Sequence, residues 1–155
     1  MYRTLFDLAG LAIIGWIPLI FIPLWRGTRR LAESAIFPAY LAVLYAVGIV
    51  AVLADLGPGI MGDFGSADGV LSLLQTEGLA LVAWIHILAF DQVVGLLIYR
   101  DNMQHRYVPI WLQSVILVAT LMLGPVGFLT YYVLRITRRR ARTTAWGERW
   151  NPDTA

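Results

Sequence analysis

The sequence predicts an all-α membrane protein: a polytopic four-helix bundle with a short interfacial helix before its third span. Three observations carry this. Hydrophobic residues make up 59% of the 155 residues and charged residues only 14%, against about a quarter charged in a soluble domain. The apolar residues fall into four long runs, each close to or above the roughly 20 residues that cross a hydrocarbon core of about 30 Å as a helix. The runs are too long and too evenly apolar for barrel strands, and lipid admits only helices or closed barrels.

The first span is Leu8 to Trp25, interrupted by Pro18 and Pro23. It reads as a span rather than a secretory leader. The stretch carries Asp7 and two prolines, and "PLWRGTRR" stands where a small-residue cleavage site would be. The link "RGTRRLAESA" leads to the second span, Ile36 to Ala54. A longer link, Asp55 to Gly69, is rich in Gly and Asp and has no Arg. "VLSLLQTEG" then predicts a short interfacial or re-entrant helix, capped by Asp68 or Ser66. The third span is Leu79 to Tyr99, and "RDNMQHRY" is short enough to make an antiparallel hairpin with the fourth, Val108 to Leu134. Residues 1–135 form the transmembrane domain. Residues 136–155 form a basic, partly flexible tail that begins as a fraying helical extension. Pro125, beside Gly124, removes a backbone donor and bends its helix; "GPVG" is either an inert bend or the wall of a site.

Four spans place both termini and the central link on one side. The arginines then divide, with Arg3 and the tail against Arg26, Arg29, Arg30, Arg100 and Arg106. The tail tips the balance slightly toward cytoplasmic termini. All twelve basic residues are Arg, which reads as coding bias and fits a bacterial inner membrane. The dense basic cluster follows the last span, where it meets anionic headgroups rather than nucleic acid.

Several chemistries are excluded. Without cysteine there are no disulfides, iron–sulfur clusters or thiolates. Two histidines are too few for a membrane di-iron centre, and His105 would lie nearly 30 Å along the helix from His86, at about 1.5 Å per residue. No metal and no cofactor are therefore expected. Phosphate loops and nucleophile elbows are absent. Acid–base chemistry in a low-dielectric site remains.

Asp91 carries the strongest signal. A carboxylate at the centre of a span costs roughly 2.5–3.5 kcal/mol on insertion scales. It must be protonated, paired or open to a polar cavity, as a functional site or an interhelical hydrogen bond. His86 can satisfy itself between helices. It lies five residues from Asp91, roughly 140° around the helix, so both face protein only if the third span is central. Tyr99, Arg100, Asp101 and Asn102 make either an anchoring belt with a local ion pair or the mouth of a cavity. Trp16, Trp25, Trp84 and Trp111 read as interfacial anchors, with Trp84 alternatively stacking on a flat ligand.

At "AWIHILAFDQVVGLLIYRD" the chain resembles the abscisic-acid-deficient-four-like family, small four-helix membrane proteins related to plant neoxanthin synthase. The matching residues are Trp84, His86, Leu88, Ala89, Phe90, Asp91, Val94, Gly95 and Asp101. Gly15 with Trp16, Pro23 with Trp25, "LAVLY", "FGSADGVLSLL" and "LMLGPVGFLTYY" extend the likeness over most of residues 5–135. The chain departs from the pattern at Ile14, Gln92, Leu96 and Leu97. The resemblance implies a role in carotenoid or isoprenoid metabolism, in the plant protein the conversion of the epoxide violaxanthin to the allene neoxanthin. On that reading Asp91 is the acid and His86 the base or proton relay. Trp84, Gln92, Tyr99, Arg100, Asp101, Gly124 and Pro125 contact the substrate. Partners are the lipid bilayer, a carotenoid or other isoprenoid and, as an option, further copies of the chain. Two other readings stay open: a non-catalytic pigment-binding or assembly subunit, and a small proton-coupled transporter.

Overall fold

The apolar runs are largely helical in the computed structural model, which describes residues 1–147, with side chains up to Arg139 except that of Pro58. No described residue lies in a strand. In order, the helices are α1 (Tyr2–Gly10), α2 (Ile13–Phe21), α3 (Arg26–Ser34), α4 (Ile36–Leu56), α5 (Ala67–Leu74), α6 (Glu77–His105) and α7 (Ile110–Gly147), with a 3₁₀ segment at Pro58–Gly65. Four stretches have the length and composition to cross a membrane: Tyr2–Phe21, Arg26–Leu56, Glu77–His105 and Ile110–Arg139. The all-α membrane fold read from the sequence stands. The expectation of a flexible tail falls, for residues 148–155, outside the described residues.

Several boundaries move, each for a local reason. The first span starts at Tyr2 rather than Leu8 and tightens where α1 meets α2. There Leu11 and Ala12 donate to the Leu8 and Ala9 carbonyls, three residues back, and the Tyr40 hydroxyl donates to the Leu8 carbonyl at 2.9 Å. The link "RGTRRLAESA" is not a loop but helix α3. Thr28 and Ala32, four residues apart on one face, are buried while Arg26, Arg29 and Arg30 are exposed, the pattern of an amphipathic surface helix. The Thr28 hydroxyl donates to the Ile22 carbonyl at 2.8 Å. Ala35, left-handed at φ 51°, turns the chain into α4. The helix before the third span forms as α5, and Ser66 rather than Asp68 caps it, accepting from the Gly69 amide at 3.1 Å. Helix α6 runs on to His105.

Helix α6 is central. Trp16, read from sequence as an interfacial anchor, is instead buried against it. A Cβ built on Gly95 would lie 2.5 Å from the Trp16 indole, so only glycine admits that ring. Gly15 makes the same allowance for Phe37 at 2.7 Å and for Gln92 Nε2 at 2.9 Å. On α4, Gly48 admits Val82 at 2.7 Å. Without a hydrophobic drive between helices, such close approach is what holds membrane bundles together.

The last helix reverses direction. Leu123 (φ −139°, ψ 36°) and Gly124 (φ 5°, ψ −77°) are non-helical, and Pro125 follows. A Cβ on Gly127 would stand 2.6 Å from Thr120 Cα, although seven residues of straight helix span about 10 Å. Further along, the Tyr131 hydroxyl donates to Asp101 Oδ2 at 2.6 Å, and Arg135 Nε pairs with the same oxygen at 2.9 Å. The Arg135 guanidinium lies 5.8 Å from the centre of the Tyr107 ring. The first arm, Ile110 to Leu123, therefore descends beside α6, and the second, from Pro125, climbs back to the end it came from.

This corrects the sequence expectation about the ends of the chain. Tyr2 bonds Asp55 at 2.5 Å and Arg3 bonds Glu77 at 2.6 Å, which fixes one end of the bundle. Helix α3, the α6–α7 turn and the second arm of α7 fix the other. The start of the chain and the basic stretch after Leu134 thus lie at opposite ends, not the same one. Eight of the nine arginines with described side chains gather at the α3 end, and Arg3 alone sits at the other.

Candidate functional site: the elbow at Asp91

Asp91 stands midway along α6, fourteen residues from either end, or about 21 Å at 1.5 Å per residue. The elbow of α7 reaches the same depth. A Cβ on Gly124 would lie 3.0 Å from the Asp91 carboxyl carbon and closer still to Oδ1. Glycine at 124 thus lets the carboxyl touch the broken backbone. The break leaves the last carbonyls of the first arm and the first amides of the second without helical partners, and Pro125 has no amide to offer. A carboxyl and a helix break therefore meet at the middle of α6. Three residues singled out from the sequence, Asp91, Gly124 and Pro125, come together here.

The short reach of α7 leaves the Glu77 half of α6 uncovered below the elbow. Trp84 and Ile87 are 49% and 47% exposed there, whereas Ile98, on the covered half, is 1% exposed. The uncovered face of α6 beneath the elbow, with Trp84 and Ile87 on it, forms an open bay. Beside it a cavity of about 180 Å³ is lined by Trp16, Trp84, Leu88, Gln92 and Leu121 with the α1–α2 junction. Gln92 is 1% exposed, and its Oε1 has no hydrogen-bond partner. An unpaired amide oxygen in hydrocarbon costs several kcal/mol, but this oxygen is sealed from the cavity, so a guest reaches it only if the amide turns.

His86 faces another neighbour set. Its ring lies 5.1 Å from that of Tyr45 and 4.7 Å from that of Phe90. It edges an apolar cavity of about 300 Å³ between α4, α5 and α6, where Phe64, Val70 and Leu73 also line the wall. His86 and Asp91 thus share a helix but look in different directions, as their angular spacing requires.

Tyr99, Arg100 and Asp101 lie at the α3 end, away from the elbow. Tyr99 donates to the Pro23 carbonyl at 2.7 Å. Arg100 donates to the Ala32 carbonyl at 2.9 Å through Nε and to the Glu33 carbonyl at 3.2 Å, closing the end of α3. Asp101 holds the second arm of α7 through Tyr131 and Arg135, and His105 Nδ1 lies 3.2 Å from its Oδ1. Asn102, read from the sequence as a belt or cavity-mouth residue, and Gln113, which sequence reasoning passed over, are both buried. Asn102 donates to Gln113 Oε1 at 2.7 Å and to the Val108 carbonyl at 3.0 Å, and accepts from the Val108 amide at 2.8 Å, fixing the α6–α7 turn. A polar residue just past an apolar run is the only signal Asn102 offered. Tyr131 and Arg135 had none, because their partner is in reach only once α7 turns back.

Among the described residues no cluster of His, Cys, Asp and Glu could hold a metal. The fold and site define a polytopic helical membrane protein with a central helix and a broken helix meeting at a carboxyl midway along α6. The family model described as ABA DEFICIENT 4-like matches residues 4–131. The chain belongs to that family. No curated protein and no solved structure matches it significantly.

Proposed function

We propose that this protein acts on a carotenoid or similar isoprenoid, binding it from the bilayer in the bay beneath the elbow and isomerising it by acid–base chemistry at Asp91. The observation that carries the reading is the carboxyl midway along α6, set against broken backbone and open on its Glu77 side. The family supports a carotenoid-related role in general. A flat polyene suits the face of Trp84 and Ile87, and Gln92, once its amide turns, accepts a hydroxyl or other donor. A protonated Asp91 gives its proton to an epoxide oxygen as the carbon–oxygen bond opens. A base then takes a carbon-bound proton, and the electron pair left behind forms the new double bond. The product is an isomer, with no net oxidation and no cofactor consumed. The carboxylate left on Asp91 is the base within reach of the bay; His86, read from the sequence as base or relay, lines the cavity on the α4 side and supports the site only indirectly.

The test uses cells that make the pigment and express the full chain. Asp91→Asn is expected to abolish conversion in extracted pigments at unchanged protein level, and His86→Ala to reduce it. An unchanged pigment profile with Asp91→Asn rules out the enzyme reading, and unconverted pigment that co-purifies with wild type would mark a binding subunit instead. A broken helix beside an ionisable residue also suits proton-coupled transport. Proton-driven uptake in vesicles, lost in Asp91→Asn, would favour that second reading.

A further inference from the structure

We propose that the pocket between α3 and the end of α6 seats the phosphate of an anionic membrane lipid. This site is separate from the Asp91 elbow and does not depend on the activity proposed there. The pocket has a volume of about 430 Å³ and is lined by Arg29, Arg100 and Arg106, with Glu33, Tyr99 and Gln104. Three guanidinium groups thus face one carboxylate. Guanidinium is planar and matches phosphate oxygens two at a time.

The charge around the pocket is one-sided because α7 doubles back. Helix α3 brings Arg26, Arg29 and Arg30, the end of α6 brings Arg100 and Arg106, and the second arm of α7 adds three more. Only Glu33 and Asp101 oppose them among the described residues. Asp101 is already engaged by Tyr131 and Arg135. Glu33 pairs with Arg29 at 3.1 Å in an exposed contact, which is weak. Arg100 is held by two backbone carbonyls, which orient its charge without neutralising it.

The position selects a lipid over a free anion. The pocket opens where α6 ends and α3 turns across the bundle, at the level of headgroups. Trp25 and Ile36, just before and just after α3, are 61% and 57% exposed. An indole and an aliphatic chain beside a cationic pocket match an acyl chain beneath a headgroup. Anionic leaflets attract such clusters in proportion to their near-surface cations.

Native mass spectrometry of the full-length protein in detergent, titrated with phosphatidylglycerol or phosphatidylcholine, tests this. Wild type is expected to retain phosphatidylglycerol preferentially. Arg29→Gln with Arg106→Gln should lower that retention roughly thirtyfold, as expected for two near-surface cations. Arg138→Gln with Arg139→Gln removes equal charge outside the pocket and should change it far less. Glu33→Gln removes the competing carboxylate and should raise retention severalfold, a gain that misfolding cannot produce. Equal losses in the two double variants would mean diffuse attraction and overturn the site. Equal retention of phosphatidylcholine would overturn the role of charge. Displacement by inorganic phosphate at matched concentration would make the ligand a soluble anion instead.

Discussion

Gly124→Ala tests the elbow most directly. The added Cβ would stand 3.0 Å from the Asp91 carboxyl carbon and nearer to its oxygen, so the carboxyl or the elbow must move. Overpacking of this kind costs about 1–3 kcal/mol. Asp91→Ala removes both oxygens and makes room. In that background Gly124→Ala should cost no more than about 0.5 kcal/mol, the spread expected of independent sites. The coupling between the two positions is then on the order of 1–2 kcal/mol. The assay is thermal unfolding of wild type, both single variants and the double variant in one detergent. For a chain of this size each kcal/mol moves Tm by roughly 2–4 °C, so the single Gly124→Ala variant should melt at least about 2 °C lower. Gly59→Ala is the control, since a Cβ there meets nothing within 4 Å. Additive effects of Gly124→Ala and Asp91→Ala would refute the contact, and with it the site.

Three further predictions concern the rest of the fold. The chain has no native cysteine, so Thr4→Cys and Thr137→Cys can be labelled one at a time with a membrane-impermeant maleimide in intact cells and inverted vesicles. The two should label from opposite sides, with Thr137→Cys cytoplasmic by its arginine-rich surroundings; labelling from the same side would rule out the reversal of α7. Asn102→Ala deletes three buried hydrogen bonds, each worth about 0.5–1.5 kcal/mol net, and strands the Gln113 amide. A loss of about 3 kcal/mol is expected in the same melting assay, and a loss below about 1 kcal/mol would show that the turn is held by something else. Gly95→Ala drives a methyl into the Trp16 indole and should cost about 1–3 kcal/mol, recovered in part by Trp16→Phe; no recovery would mean the indole is not the obstacle.

The long apolar runs were legible because length and hydropathy alone define a span. Helix α6 and its central place followed from Asp91 and His86, whose angular spacing demands neighbours on more than one side. Helix α3 was illegible for the opposite reason. Its arginines read as a link between spans, and its buried face is only Thr28 and Ala32 with a polar edge. At Gly124–Pro125 the sequence signals a departure from helix but not its angle, since a bend and a reversal begin with the same residues. The close approach of Gly127 to Thr120 and the pairing of Tyr131 and Arg135 with Asp101 separate them. Trp16 looked like a belt residue because nothing local marks Gly95, seventy-nine positions away, as its socket.

The reversal of α7 also bears on how the chain enters the bilayer during synthesis. A fourth crossing would require the arginines after Leu134 to be carried through hydrocarbon to the far side. With the elbow at Gly124, the last segment enters only halfway and backs out, and that cationic stretch stays at the end where α6 finishes. Among the arginines with described side chains, Arg3 alone lies at the far end. The last full crossing is thus α6, and the final hairpin packs against it with Asn102 at its base and Asp91 at its tip.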